Sequence, residues 1–140
     1  MKNSHSAAVL VAVFWFALVL GCSESRRNSS QATKPAPVMT VSAQQLASAY
    51  KDNEVAADER YKGKVIAVTG IIDSIGKDTL DTPYVVLGGG DRFSITSVQC
   101  MFGDEYKSQL AVLSKGEKVT LIGECEGKMM NVLLKNCRFD

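Results

Sequence analysis

Cysteine and histidine are the residues of this 140-residue chain best suited to chemistry, and their placement restricts what they can do. His5 is the only histidine, and it falls in an N-terminal segment expected to be removed. The mature chain then has none, which excludes histidine-activated serine or cysteine nucleophiles, histidine acid–base catalysis and histidine-containing metal sites. Three cysteines, Cys100, Cys125 and Cys137, fall in the C-terminal half with no Cys-x-x-Cys spacing. Three thiolates without histidine make an unusual zinc site, and none of them shows the base or helix start that would activate it. Glu54, Asp58 and Glu59 read as the wet side of a helix, since no metal-ligating partner accompanies them. The run Gly88-Gly89-Gly90-Asp91 lacks the helix and the Lys-Ser/Thr ending of a phosphate cradle and reads as a hairpin turn. No enzyme activity, no metal and no cofactor are expected.

The start of the chain bears on the thiols. Residues 1–6 are polar with one lysine, residues 7–20 are apolar without interruption, and Gly21-Cys22 follows. Fourteen residues of helix rise about 21 Å, short of the roughly 30 Å hydrocarbon core, so this is an export signal rather than a membrane span. Val19-Leu20-Gly21-Cys22 resembles the lipobox of bacterial lipoproteins, which implies that Cys22 is lipidated and becomes the new N-terminus. Leu20 is larger than is usual there, and Ser23, not being aspartate, permits sorting to an outer membrane. In an exported chain the three remaining cysteines fit one disulfide plus one buried thiol, with the pairing open. A bridge involving Cys137 is favoured, because it would pin the last strand.

Residues 22–41 are rich in Ser, Asn, Gln, Ala and Pro and show no helical or strand period, so they read as a flexible tether. Residues 42–140 carry twelve basic and fourteen acidic side chains, a net charge of −2. General nucleic-acid binders carry a basic excess, because phosphate neutralisation supplies most non-specific affinity, so charge argues against that partner.

The elements that must position these side chains follow from pattern. Ser42 and Gln45 form a capping box for a helix over 42–50, with Leu46, Ala49 and Tyr50 on its apolar face. A second turn over 55–61 is expected to face Val55, Ala56 and Tyr61 inward. Residues 62–74, KGKVIAVTGIIDS, are the longest β-branched run outside the apolar leader, with Gly70 marking a bend. Strands are predicted over 64–74, 84–87, 92–102, 117–126 and 131–139, with a loop over 75–83 and a helix over 104–114. Alternation turns Val98, Cys100 and Phe102 inward, together with Cys125, and leaves Cys137 open to either face.

This order predicts a mainly β, α+β domain: a five-stranded OB-fold barrel with an N-terminal helix and a helix between strands 3 and 4. Gly70 would let the first strand pair with both the second and the fourth. The runs NEVAADERYKGKVIAVTGIIDSIGKD, VQCMF and GECEGKMMNVLLKNC, in that order, resemble the OB-fold bacterial lipoproteins named for similarity to tRNA anticodon-binding domains. The resemblance spans residues 42–140 and implies fold and envelope location, without implying tRNA binding. The expected organisation is a signal peptide over 1–21, a lipid-anchored tether over 22–41 and an OB-fold domain over 42–140, on the periplasmic face of the outer membrane in a Gram-negative cell. OB-folds bind through the face of strands 2 and 3 and the flanking loops. Here that face draws on Lys77, Asp78, Tyr84, Arg92, Phe93, Lys128 and Met129. The expected function is a non-catalytic envelope module that binds a protein, peptide or glycan. The alternative is a binder of single-stranded nucleic acid.

Overall fold

The computed structural model describes residues 34–88 and 96–140. Cys22, the export signal, most of the tether, the tip of the glycine turn, and Arg92 and Phe93 lie outside those residues.

The domain is a closed five-stranded barrel, mostly β, with the connectivity of an OB-fold. Its strands are β2 (Val65–Lys77), β3 (Pro83–Gly88), β4 (Val98–Phe102), β5 (Lys118–Lys128) and β6 (Val132–Phe139). β2 is the strand that closes it. Residues 65–71 pair antiparallel with β5, and residues 71–77 pair antiparallel with β3. The change of partner falls at Ile71, beside Gly70, as the β-branched run with its central glycine predicts. Gly70 serves close approach: a Cβ there would lie 2.9 Å from the Ala43 Cβ and 3.0 Å from the Leu87 Cβ. The irregularity in the ladder itself falls between Ile72 and Ser74. β4 and β6 run parallel and complete the ring.

A sixth strand, β1 (Met39–Ser42), lies parallel to the first half of β2, with Met39 opposite Ile66 and Ser42 opposite Thr69. The domain boundary expected at residue 42 cuts through this strand. Before it, the Lys34 ammonium donates to the Tyr106 hydroxyl at 2.6 Å, and the Arg138 guanidinium donates to the Pro35 carbonyl at 2.7 Å.

Two helices cover one end of the barrel. Ser42 caps α1 (Ala43–Asp52): its Oγ accepts from the Gln45 amide at 3.1 Å, and Gln45 Oε1 accepts from the Ser42 amide at 3.1 Å. Such a cap contributes about 1 kcal/mol. Leu46, Ala47 and Tyr50 fall on the buried face. Asn53 ends α1 with its backbone and starts α2 (Glu54–Tyr61) with its side chain, which accepts from the Ala56 amide at 3.1 Å. This double cap rotates α2 from the expected phase. Ala57 and Tyr61 are buried, whereas Val55 and Ala56 face solvent.

The helix expected over 104–114 is shorter: a 3-10 turn, Asp104–Tyr106, then α3 (Lys107–Leu110). The chain leaves it early because Gly116, at φ +93°, must donate its amide to the Ile72 carbonyl at 2.8 Å, while Ile72 donates to Glu117. The barrel is filled by Ile66, Val68, Ile72, Val85, Leu87, Val98, Leu121, Val132 and Leu134, all fully buried. Each such side chain contributes about 1.5–3 kcal/mol relative to exposure.

β6 carries the sharpest local feature. Asn136 adopts φ +51°, a left-handed conformation that asparagine tolerates better than most residues. It inserts an extra residue against both neighbours: Cys100 opposes Leu134 while Phe102 opposes Cys137, and Ile122 opposes Arg138 while Glu124 opposes Lys135. Strict alternation from Leu134 would turn residue 136 inward. The bulge exposes Asn136 and buries Cys137 instead, which decides the face that pattern left open.

Candidate ligand-binding face

The outward side chains of β3, β4 and β6 form two adjoining rows. Tyr84 sits opposite Met101, and Val86 sits opposite Gln99, which in turn faces Leu133. All five are half-buried. The Tyr84 ring lies across Gly76 of β2, its hydroxyl 2.8 Å from where a Cβ would be. Only a glycine leaves room for the ring to lie there. Gln99 Nε2 donates to Met101 Sδ at 3.3 Å, and Asn131 Nδ2 donates to Gln99 Oε1 at 3.4 Å. The rows are flanked by the loop 78–82, which exposes Leu80, and the turn 129–131, which exposes Met129 and Met130.

The residues expected on this face have divided roles. Tyr84 belongs to its centre and Met129 to its rim. Asp78 is a turn builder: its Oδ1 accepts from the amides of Leu80 at 2.8 Å and Thr82 at 2.9 Å. Lys77 is paired with Asp81 at 2.8 Å, and Lys107 reaches the other oxygen of the same carboxylate at 3.1 Å. Hydrogen bonds from these two lysines hold the Asp81 carboxyl below its ordinary pKa. Lys128 turns away towards α2 and pairs with Glu54 at 3.6 Å. Sequence reasoning missed Val86, Gln99, Met101 and Leu133. The alternation of residues 98–102 contained the signal for two of them, but that pattern was read only for its buried half.

The carboxylates of α2 are not uniformly wet. Asp58 bonds Lys62 through Oδ2 at 3.2 Å, while its Oδ1 is buried, 3.1 Å from where a Cβ on Gly127 would lie. The three thiols are buried and free. The Cys125 thiol meets the Tyr50 hydroxyl at 3.4 Å, and burial pushes both groups above their ordinary pKa. Among the described residues no group of three or more His, Cys, Asp or Glu is arranged to hold a metal.

A second concavity of about 310 Å³ lies on the barrel between Lys34, Tyr106, Gly123, Cys137 and Arg138. Its aromatic wall is Tyr106, stacked edge-on against Phe102 at 5.5 Å between ring centroids. The Lys34 and Arg138 hydrogen bonds tie residues 34–35 along it.

A solved structure shares this architecture. A Klebsiella pneumoniae protein named "putative nucleic acid-binding lipoprotein" superposes with a TM-score of 0.60 at 22% identity, over 72% of this chain and 90% of that one. A Leishmania major protein named "putative aspartyl-tRNA synthetase" matches at 12% identity and a TM-score of 0.45, over 78% of this chain and 22% of the synthetase. No curated protein matches in sequence. The family model tRNA_anti-like matches residues 1–138, which include all of the barrel except the last residue of β6, and the chain therefore belongs to the tRNA_anti-like family.

Proposed function

We propose that this chain is a lipid-anchored envelope protein whose OB-fold binds a polypeptide, without catalysis, through the face centred on Tyr84 and Met101. The observation that supports this most is the chemistry of the face. Its outward groups are an aromatic ring, the Met101 thioether, aliphatic Val86 and Leu133, the amide of Gln99, and flanking loops that expose Leu80, Met129 and Met130. Both lysines assigned to it, Lys77 and Lys128, have carboxylate partners within the chain. Methionine and tyrosine suit adaptable apolar side chains, and the amides of Gln99 and Asn131 suit peptide groups. A glycan would draw on the same amides and ring with less use for Leu80, Met129 and Met130. Single-stranded nucleic acid is the second reading. It is favoured by the name of the Klebsiella lipoprotein and by the stacking potential of Tyr84.

A photo-crosslinking amino acid at Val86 in intact cells tests the face. The expected result is an adduct that migrates as protein plus polypeptide and resists nuclease, with none from the same group placed at Lys51 on α1. Nuclease-sensitive adducts, or micromolar binding of oligothymidine that falls steeply with salt, would establish the second reading instead. The anchor is tested separately: metabolic palmitate labelling is expected in the wild-type chain and lost in Cys22→Ala. Labelling that survives the substitution would refute lipidation at that residue.

A further inference from the structure

An open cleft of about 320 Å³ lies where the end of β2 and the start of β3 approach α3. Its walls are Ile75, Pro83, Leu110 and Ala111, almost wholly apolar, with Pro83 and Leu110 buried, Ile75 half-buried and Ala111 exposed. Lys77 and Lys107 are the only charged side chains that line it. One carboxylate of the neighbouring loop occupies both: Asp81 meets Lys77 at 2.8 Å through Oδ1 and Lys107 at 3.1 Å through Oδ2. Lys107 also reaches Asp104 at 3.0 Å. The Asp81 carboxylate does not build the loop that carries it. Asp78 does, taking the Leu80 and Thr82 amides with its side chain, while its backbone bonds Thr82 and Asp81. Asp81 stands at φ +64°, a conformation that asparagine accommodates equally.

We propose that this cleft binds an aliphatic carboxylate, with its apolar body against Ile75, Pro83, Leu110 and Ala111 and its head between Lys77 and Lys107, in the place of Asp81. Charge complementarity selects an anion, and a carboxylate that repeats the two contacts of Asp81 satisfies both lysines. The walls select the rest of the molecule. A peptide would bring amide groups that find no partner among apolar side chains, and inorganic phosphate would leave the apolar surface uncovered. An unbranched chain with one charged end meets both conditions. The exchange costs little, because the Lys77 and Asp81 side chains are more than half exposed and exposed ion pairs contribute little. Asp81 is thus an internal competitor, which lowers affinity without closing the cleft. Tyr84, Val86, Gln99, Met101 and Leu133 do not line this cleft, so it stands or falls apart from the polypeptide reading.

The test is photolabelling of the full chain, in nonionic micelles, with dodecanoate carrying a diazirine in its tail. After tryptic cleavage, label within the barrel is expected on fragments 65–77 and 108–115, which hold Ile75, Leu110 and Ala111. Labelling should saturate and be displaced by unlabelled dodecanoate. Asp81→Asn, which keeps the turn and releases both lysines, should lower the half-saturating concentration about threefold. Lys77→Gln/Lys107→Gln should raise it about tenfold, read on the longer fragments 65–92 and 93–115 that the substitutions create. Ala111→Phe should block labelling by filling the cleft. Circular dichroism checks that each variant is folded. The head group is tested on the wild-type chain alone: dodecanol with the same diazirine should label without preference for these two fragments. Equal preference for the alcohol, label spread over the barrel, or weaker labelling of a folded Asp81→Asn would each overturn the proposal. Stronger displacement by a peptide ending in a free leucine carboxylate than by dodecanoate would also overturn it, and would give the cleft to a polypeptide end.

Discussion

Gly123→Ala is expected to cost about 3 kcal/mol or more of folding stability, although alanine is the better strand residue. Glycine inside a strand is ordinarily a loss of up to about 1 kcal/mol, so propensity alone gives this substitution the opposite sign. Contact decides the outcome. A Cβ at residue 123 would stand 2.6 Å from Cys137 Sγ, 3.1 Å from the Lys135 carbonyl and 3.2 Å from the Leu134 Cβ. The second of these is backbone, fixed by the Asn136 bulge, and cannot swing aside. Overpacking of well-packed sites costs roughly 1–3 kcal/mol, and a backbone obstacle puts Gly123 at the top of that range. Gly70→Ala meets two side-chain carbons at 2.9 and 3.0 Å and should cost less, about 2 kcal/mol. Urea unfolding of each variant gives the comparison. The double substitution Gly123→Ala/Cys137→Ala removes the sulfur and should recover part of the loss. Strict additivity of the two single effects would show that the sulfur is not the obstacle.

Alkali is expected to unfold the reduced domain. Tyr50, Cys100 and Cys125 are buried, and all three are held above their ordinary pKa values, Tyr50 and Cys125 chiefly by burial and Cys100 chiefly by its Cys137 hydrogen bond. In the unfolded chain the thiols ionise near pH 8.5 and the phenol near 10. Above those values the unfolded state binds fewer protons than the folded state, so stability falls as pH rises. The contribution is fully present below about pH 8.5. Each group removes at most about 1.4 kcal/mol per pH unit over the range in which it is ionised in the unfolded chain and neutral in the barrel. Urea midpoints measured in a phosphine reductant at stepped pH should decline from about pH 9. Cys100→Ala/Cys125→Ala should delay the decline to about pH 10, where Tyr50 alone remains. A midpoint that stays flat between pH 8 and 10.5 would show that these thiols ionise within the native barrel.

The barrel was legible because its strands announce themselves locally. The β-branched run around Gly70, the alternation of Val98, Cys100 and Phe102, and the capping box at Ser42 are each contained in a dozen residues or fewer. What escaped depends on distant partners. β1 is four residues long, follows two prolines, and takes its hydrogen bonds from β2, its partners lying 27 residues later, so nothing local separates it from the tether. Asn136 reads as an ordinary polar strand position, because a left-handed residue has no signature in a single sequence. The face suffered in the same way. Lys77, Asp78 and Lys128 were chosen by residue type and loop position, but Asp81, the turn amides and Glu54 already engage them. Tyr84 was recoverable because a single aromatic at the start of a strand beside a glycine-bearing partner has few other places to go.

The manner in which the chain enters the domain has a mechanical consequence. Any tension arriving through the residues before Lys34 meets a series of fasteners before it reaches the barrel. The Lys34–Tyr106 and Arg138–Pro35 hydrogen bonds take the load first, one from the 3-10 turn and one from β6. Behind them the four-residue parallel ladder between β1 and β2 is pulled along its own length. Its hydrogen bonds would then have to fail together, in shear, rather than one by one. The segment before Lys34 can be tugged without peeling β2, the strand that closes the barrel.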